Sequence, residues 1–447
     1  MKSKILILCC LLWGGVGCKA PISSERGQQP APPQPIVTQD LVNFWAAYDA
    51  VRRTTDTVQQ KADLQALFID RASVGQQCMM AARNYSVDDY LTSIRTFPQF
   101  WNSLRPRTES LATCNKVLRT GVDQLRAVYP SLETATIYYT VGTHRSPGTG
   151  VDSLVLIGTE FALADDQTVA VELPEHLQNY YKINPSEHLS FLVVHEYVHT
   201  QQQEMVYNLL SLTLYEGIAD FVAAIATGDQ SPFAAYSYGP AHEEEIKQRF
   251  EQDLFRPNLI YDWLWNAPDN EFNTSDLGYY VGYRIAASYY TQAADKQAAI
   301  RTLIQLDFQD QPAVERIVDG TGYLSQPLEA LYQAYEASRP TVIGLKPFAN
   351  GNQAVDPTVD QLTVVFSEPM DEASRNFDFG PLGEDAVVRF QRLVGYTEDS
   401  RSLTFDIAPL LPNKQYQLTI GSGFRNQAGV PLKPYLIDFK TKKENTP

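Results

Sequence analysis

Two kinds of apolar spacing alternate along the chain, and each predicts a different kind of element. Between about residues 38 and 130, apolar and aromatic positions recur every three or four residues, as at Leu41, Phe44, Trp45 and Tyr48. Because that spacing places the side chains on one face of a helix, this part is predicted to be helical. The same spacing marks three further segments: 64–68, 90–97 and 109–129.

The period changes after Pro130. Runs of β-branched and aromatic residues at 135–141, 153–157 and 168–171 are separated by clusters of Gly, Pro and Asp. Such runs predict the strands of a small antiparallel sheet. Helical spacing returns after Pro185 and continues to about residue 338.

Beyond residue 340 the chain changes to short alternating runs with frequent turns. The runs lie at 362–366, 403–405, 416–420 and 436–439, a spacing suited to a β-sandwich over residues 341–442. No cluster of titratable residues and no metal-ligand spacing occurs there, so we expect this module to act in spacing or docking. Together the patterns predict an α+β protein: a mainly helical domain over 38–338 (helical part 38–130, sheet and further helices 131–338), then an all-β domain.

The N-terminus has the pattern of a secretory signal. Lys2 and Lys4 precede an apolar stretch over 5–13, and small residues follow up to Cys18. This resembles a bacterial lipoprotein signal, with 1–17 removed and a lipid attached to Cys18; an ordinary signal with a chance Cys is the alternative. Residues 18–37 are rich in Pro, Gln and Ser, which predicts a flexible tether to the folded body.

Composition narrows the functional classes. The chain has 36 Lys and Arg against 52 Asp and Glu, a net charge of −16, which argues against a nucleic-acid binder. Hydrophobic residues make up 44%, too many for a disordered protein, and no run of 18 or more apolar residues predicts a membrane span. Cys78 and Cys114 are either one disulfide or two buried thiols.

The chemistry is concentrated at the start of the second helical region. His195-Glu196-Tyr197-Val198-His199 is an H-E-x-x-H pattern within a segment that reads as a buried helix. Residues i and i+4 share one helical face, so both imidazoles can reach one Zn²⁺, with Glu196 placed to take a proton from water at the metal. Two His residues satisfied by neighbouring polar groups are the structural alternative.

A second helical segment supplies a third predicted ligand. Glu216 lies in an apolar helix and would be costly to bury without a partner. Three protein ligands with an open position are typical of catalytic zinc, whereas structural sites are closed. Asp220, one turn later, can hold a His ligand by its second ring nitrogen.

These residues resemble the gluzincin metallopeptidases, whose glutamate ligand lies in an E-x-x-x-D helix, here Glu216 to Asp220. More narrowly, 156–160, 195–202 and 278–283 are similar to predicted bacterial zinc proteases that include gliding-motility lipoproteins. The resemblance implies a zincin-like domain in which His195, His199 and Glu216 bind zinc, Glu196 is the general base and Asp220 orients His195.

The same resemblance implies a Tyr or His that stabilises the oxyanion. Tyr279, Tyr280 and Tyr283 fall in the corresponding window, and Tyr283 is the predicted residue. It also implies that strand 168–171 is an edge that pairs with an extended peptide. The segments 364–371, 411–416 and 424–429 resemble bacterial Ig-like domains of cell-surface proteins.

The prediction is a zinc metallopeptidase that acts on a peptide or protein substrate and is lipid-anchored in the bacterial cell envelope. The outer membrane, facing the periplasm or the surface, is the expected location, and the Ig-like domain is expected to bind an envelope partner. Two other readings stay open: a noncatalytic scaffold or adhesion-type lipoprotein that retains the zincin fold, and a zinc hydrolase of cell-wall amides. A scaffold has no need of Glu196.

Overall fold

The computed structural model describes residues 35–265 and 270–443. The predicted signal peptide, Cys18 and the tether up to residue 34 lie outside that range. The chain divides into two compact units, the first ending at Leu328 and the second beginning at Glu329. The helix Leu328–Ser338 therefore falls almost wholly in the second unit, although its spacing had assigned it to the first domain.

The first unit is built mainly of helices. In chain order the helices are α1 Gln39–Arg52, α2 Thr57–Leu67, α3 Val74–Arg83, α4 Val87–Thr96, α5 Pro98–Glu109, α6 Ala112–Val128, α7 Thr159–Ala162, α8 Glu175–Tyr181, α9 Leu189–His199, α10 Leu209–Thr227, α11 Ala234–Asp253, α12 Ile260–Trp263, α13 Leu277–Gln292, α14 Lys296–Ile304, α15 Gln311–Thr321 and α16 Leu328–Ser338. Short 3₁₀ turns lie at Ile69–Arg71, Pro185–His188, Pro257–Leu259 and Glu384–Ala386. The last of these turns and almost all of α16 belong to the second unit.

Local sequence explains where the N-terminal helices begin. Ser86 and Asp89 form a capping box at α4, and Pro98 occupies the first turn of α5, where its missing N–H costs nothing. The aromatic face of α1 is buried, and the Phe44 ring lies edge-on to Phe68 and tilted against Trp101. Helices α3 and α5 were missed because their apolar positions are few and interrupted.

The sheet of the first unit has four strands in the order β1-β2-β4-β3. The strands are β1 Ile36–Val37, β2 Thr136–Thr140, β3 Gly148–Val151 and β4 Leu154–Gly158. The pairs β1/β2 and β2/β4 are parallel and only β3/β4 is antiparallel, so the predicted antiparallel sheet is a mixed one. All five residues of β4 are buried, as expected for a strand covered on both faces.

Two further expectations need correction. Residues 168–171 form turns instead of a strand: the Thr168 N–H donates to Asp165 O, and Val171 is 71% exposed. The predicted tether ends earlier than expected, because Ile36 and Val37 pair with Ile137 and Tyr138 in the sheet. A strand that short gives no periodic signal in the sequence.

The two central helices, α9 and α10, pack on each other and on α6. Among the described residues α10 is the one helix long and apolar enough to cross a membrane by length and composition, and most of it is buried inside the protein. Helix α10 also packs closely on α13, where Gly217 faces Gly282 and a Cβ on either would overlap the other helix's backbone.

The second unit is a two-sheet antiparallel sandwich. Its strands are β5 Val342–Lys346, β6 Gln361–Phe366, β7 Phe377–Asp378, β8 Phe390–Tyr396, β9 Ser402–Ile407, β10 Gln415–Ile420 and β11 Tyr435–Lys440. One sheet has the order β5-β6-β9-β8 and the other β11-β10-β7. Alternate residues of β6 and β9 are buried, among them Phe366 and Phe405, and they pack with Phe424 and Phe439 in one core.

The possible disulfide between Cys78 and Cys114 is not formed. Cys114, on α6, is a free thiol, and burial raises its pKa. The spacing of two cysteines carries no information about the distance between them in the fold.

Candidate metal centre

Helix α9 brings two imidazoles to one point. His195 and His199 lie one turn apart, and their Nε2 atoms are 3.0 Å from each other. The apolar side of the helix holds it in place, with Val193, Val194 and Val198 fully buried. Tyr197 fastens it to the start of the sheet: its hydroxyl accepts from the Ala135 N–H at 2.8 Å and donates to Glu133 O at 3.1 Å.

Helix α10 adds a carboxylate to the same point. Glu216 Oε2 lies 3.2 Å from His199 Nε2 and 3.5 Å from His195 Nε2. One ligand atom from each of the three residues falls within 4.8 Å of the others. Burial alone would raise the pKa of Glu216, but the two imidazoles hold that pKa well below its usual range.

The outer nitrogen of each imidazole faces a hydrogen-bond acceptor. His199 Nδ1 lies 2.7 Å from Gln202 Oε1, and the Gln202 amide is oriented by its own donation to Tyr215 O at 2.9 Å. His195 Nδ1 lies 2.7 Å from Asp220 Oδ1. With a proton on each Nδ1, the Nε2 lone pairs of both imidazoles face Glu216 and can bind a cation.

Three converging acceptors form a site for a cation. When no metal is bound, a proton on His195 can take its place. Burial lowers the pKa of His195, but the carboxylates of Asp220 and Glu216 outweigh burial and raise this pKa well above its usual value. A tetrahedral zinc ion with bonds of about 2.0–2.1 Å would place its ligand atoms about 3.3 Å apart. The observed separations of 3.0, 3.2 and 3.5 Å fit that requirement.

Glu196 lies beside this point, at the open edge of the sheet. The strand β3 approaches so closely that a Cβ on Gly148 would lie 2.7 Å from Glu196 Oε1, and one on Gly150 would lie 2.6 Å from Glu196 O. Both positions therefore need glycine. Burial raises the pKa of Glu196, opposed by the neighbouring charges of His195 and His199.

These side chains line one cleft with a volume of about 1240 Å³: His195, Glu196, His199, Gln202, Glu216 and Asp220. One wall is formed by the end of α3 and by β3, and another by Tyr261, Trp265 and Tyr279. His188, at the start of α9, lies at the edge of the cleft.

The tyrosines of α13 are placed differently from the expectation. Tyr283 does not line the cleft; its ring packs against Phe221 and Tyr236. Tyr279 lines the cleft, stacks on His195 with ring centres 6.4 Å apart, and accepts a hydrogen bond from Trp265 Nε1 at 2.9 Å. The two tyrosines share one helical face, so sequence spacing does not distinguish them.

Several residues of the site were missed in the sequence. Gln202 was part of a quoted motif but had no assigned role, and the paired glycines of β3 gave the only signal of a close approach. Arg83, which also lines the cleft, lies more than a hundred residues from the metal motif. Residues that lie so far from the motif in sequence can be assigned to the site only once the fold is known.

Comparison with known proteins identifies the C-terminal part of the chain. The bacterial Ig-like domain family matches residues 336–441. No curated protein matches the chain at a significant level.

Some solved structures are similar to parts of the chain at low TM-scores. CopC from Methylosinus trichosporium OB3b is 12% identical, with 24% of this chain and 99% of that chain covered, at a TM-score of 0.19. The S-layer protein rSbsC(31-844) is 13% identical, with 92% and 46% covered, at 0.19. A structure of domains 1–6 of the surface layer protein SbsC is also 13% identical, with 74% and 46% covered, at 0.20.

The chain thus spans less than half of either surface-layer structure, and TM-scores this low say nothing about its fold. The family match covers less than a quarter of the chain, so it assigns one domain and not the whole protein. That domain agrees with the antiparallel sandwich of the second unit. Residues 336–441 are a bacterial Ig-like domain.

Proposed function

We propose that the first unit is a zinc-dependent metallopeptidase and that His195, His199 and Glu216 hold the zinc. The observation that carries this proposal is the convergence of three acceptor atoms next to a buried carboxylate in an open cleft, with a polar group behind each imidazole. A pair of His residues with a structural role alone needs neither a buried carboxylate beside it nor an opening into a cleft.

The residues of the cleft have separate roles in this proposal. Zinc, when bound, supplies a Lewis acid that polarises a carbonyl and makes water more acidic. Glu196 takes the proton from the attacking water and passes it to the leaving amine nitrogen; its raised pKa suits both steps. Asp220 and Gln202 keep the Nδ1 protons in place, so that both Nε2 atoms stay available to the metal.

Tyr279 takes the role that the sequence had assigned to Tyr283. Its hydroxyl, positioned by Trp265, can donate a hydrogen bond to the carbonyl oxygen as negative charge develops on it. The peptide is proposed to pair with the open edge of β3, in place of the predicted edge at 168–171, because β3 lies directly against Glu196. Main-chain pairing of this kind accepts many sequences and suits a peptidase.

The same proposal places the protein in the bacterial cell envelope, with a lipid on Cys18. The Ig-like domain is then free to bind a partner in the envelope. Replacement of Cys18 by Ser is expected to release the protein from the membrane fraction and to prevent incorporation of labelled fatty acid. Unchanged membrane association and labelling would contradict the anchor.

The first experiment is the metal content of purified residues 19–447 and of its Glu216→Ala variant. One zinc per chain, lost or much weakened in the variant, is the expected result. A folded protein that binds no zinc would contradict the proposal and favour the scaffold reading.

The second experiment separates an enzyme from a zinc-binding scaffold. Glu196→Gln is expected to keep the zinc and to lose hydrolysis of a peptide library, because only the proton transfer is removed. An equal rate in the variant would contradict the mechanism. Cleavage of cell-wall amides without cleavage of peptides would assign the site to that other class of substrate.

A further inference from the structure

Arg83 is a buried cation in the cleft that makes no hydrogen bond or ion pair with a carboxylate among the described residues, although its charge lowers the pKa of Glu196. It is the last residue of α3, its side chain lines the cleft, and the residue is 8% exposed. Its Nη2 donates to Gly148 O at 3.2 Å, while its Nε has no hydrogen-bond partner among the described residues. No carboxylate within the described ranges forms an ion pair with it.

Two other arginines of the same unit form ion pairs with carboxylates. Arg145 pairs with Asp89 at 2.7 Å, and Arg105 pairs with Asp49 at 2.7 Å. A guanidinium has five N–H donors, and Arg83 commits one of them to a neutral carbonyl. The charge of Arg83 acts on Glu196, but no hydrogen bond joins these two side chains, so donors of the guanidinium remain for a ligand.

The backbone of Arg83 is held firmly. Its carbonyl accepts from Arg145 Nη1 at 3.0 Å, and the next residue, Asn84, ends α3 in the left-handed conformation with φ of 51°. The guanidinium is therefore presented from a fixed helix end, as a preorganised binding group.

The contact with Gly148 places that guanidinium at the open edge of β3. In an antiparallel pair of strands, hydrogen-bonded and non-hydrogen-bonded residue pairs alternate. Pro147 and Gly158 are a hydrogen-bonded pair, because the Gly158 N–H donates to Pro147 O. The next pair, Gly148 and Ile157, is therefore not hydrogen-bonded. The carbonyl of Gly148 consequently points away from β4, toward the edge on which we place the peptide. Ser146 Oγ also donates to it, at 2.5 Å, so the carbonyl is already occupied by two side chains.

We propose that Arg83 binds a carboxylate of the substrate, and that the site therefore prefers peptides with a carboxylate close to the scissile bond. This inference rests on the proposed peptidase function. The planar fork of a guanidinium matches a carboxylate through two parallel hydrogen bonds. Arg83 and Glu196 both adjoin Gly148, so a carboxylate bound there lies next to the reacting bond.

Two sources can supply the carboxylate: the C-terminus of a short peptide or an acidic side chain. The test uses the zinc-loaded mature chain and four peptides of one parent sequence. They combine a free or an amidated C-terminus with Glu or Gln next to the scissile bond. In one of the two comparisons, free against amidated C-terminus or Glu against Gln, we expect kcat/KM to be at least tenfold higher for the peptide with the carboxylate. Most of this difference is expected to come from a lower KM.

The preference ratio within each enzyme is the decisive quantity. In Arg83→Gln the ratio is expected to fall to about one, and in Arg83→Lys to an intermediate value because the charge stays but the fork is lost. Arg105→Gln, outside the cleft, is the matched control and keeps the wild-type ratio. A wild-type ratio near one, or an unchanged ratio in Arg83→Gln, would overturn the inference.

A binding measurement keeps this test independent of turnover. Calorimetry of the Glu196→Gln variant, with and without Arg83→Gln, compares the acid and amide forms of the preferred peptide. Tighter binding of the acid form, lost with Arg83, supports the inference; equal binding of both forms contradicts it. Failure of the peptidase proposal would appear instead as absent zinc or absent cleavage of all four peptides.

Discussion

Two imidazole nitrogens lie 3.0 Å apart at the centre of the candidate site, and the outer nitrogens of the two rings face Gln202 Oε1 and Asp220 Oδ1. The spacing of His195 and His199 predicts their meeting, because i and i+4 share a helical face. That Glu216 joins them follows from the cost of burying an unpaired acid. Packing between distant segments decides that Tyr279 lines the cleft and that Arg83 reaches it. Neither position can be predicted from the local sequence.

Gln202 provides a residue-scale test of the second hydrogen-bond layer. Gln202→Ala removes the acceptor at His199 Nδ1, so the ring loses its orientation and zinc affinity is expected to fall about tenfold. Its neighbour Gln201, which bonds Glu133 and Thr200, is the control. Competition with a fluorescent zinc chelator measures both variants. Equal affinities would show that Gln202 does not orient the ligand.

The two tyrosines of α13 give a second residue-scale prediction. Tyr279→Phe is expected to lower kcat by about 10²-fold, as for the loss of one oxyanion donor, with zinc content unchanged. Tyr283→Phe is expected to have little effect, because that ring lies against Phe221 and Tyr236, outside the cleft. Initial rates of the two variants on one peptide are the measurement. A larger loss of rate in Tyr283→Phe than in Tyr279→Phe would assign the oxyanion role to Tyr283.

Glu160 gives a prediction for pH dependence. Its carboxylate is fully buried and accepts from the Gly142 and His144 N–H groups; burial raises its pKa from 4.5 to about 7. The folded state therefore keeps a proton that the unfolded chain releases. The resulting stability is complete below pH 4.5 and is lost as pH rises through 7, a change of about 3 kcal/mol.

His144 acts in the opposite direction, since burial lowers its pKa to about 3. The stability that neutral His144 contributes is lost as pH falls below 6.5. Between pH 4.5 and 6.5 the effect of Glu160 on stability falls with rising pH and that of His144 rises, so the two nearly cancel in the wild type. The difference in unfolding free energy between wild type and Glu160→Gln isolates the glutamate. Urea denaturation from pH 4.5 to 8 measures it, and parallel curves for the two proteins would contradict the assignment.

At the scale of elements, the crossing of α10 and α13 positions the site. Gly217→Ala would place a methyl group against the backbone at Gly282, next to the proposed zinc ligand Glu216. We expect a loss of about 1–3 kcal/mol in the unfolding free energy of the first unit, with weaker zinc binding. Gly320 of α15 is also helical but faces open space, so Gly320→Ala should stabilise by about 0.5–1 kcal/mol. Chemical denaturation of both variants provides the comparison.

Elements differed in how much of them the sequence predicts. The alternating burial of β6 and β9 matches the predicted strands, since one face of each packs in a sandwich core. Strand β3 was missed because two of its four residues are glycines, which have low strand propensity. Residues 168–171 are β-branched enough to predict a strand, but no neighbouring strand pairs with them and local turns form instead.

On the scale of the whole molecule, each unit has its own core. Zinc binds only the folded first unit in our proposal, so it should raise the first unit's unfolding temperature and leave the Ig-like unit unchanged. At a free zinc concentration a thousand times its Kd, binding adds about 4 kcal/mol to the free energy of unfolding of the first unit. Calorimetry of the mature chain with and without a chelator is the measurement, with Glu216→Ala as the unresponsive control. A single transition that shifts as a whole would contradict independent unfolding.

The capped carbonyl of Gly148 also affects how the protein behaves among its own copies. An uncovered sheet edge normally recruits the edge strand of another molecule, which leads to aggregation. Here Ser146 and Arg83 already occupy an outward carbonyl of β3, and the strand has four residues. The row of open hydrogen-bonding groups is too short to join two folded sheets, yet long enough for a flexible chain. Molecules at high local concentration are therefore not expected to join their sheets through this edge.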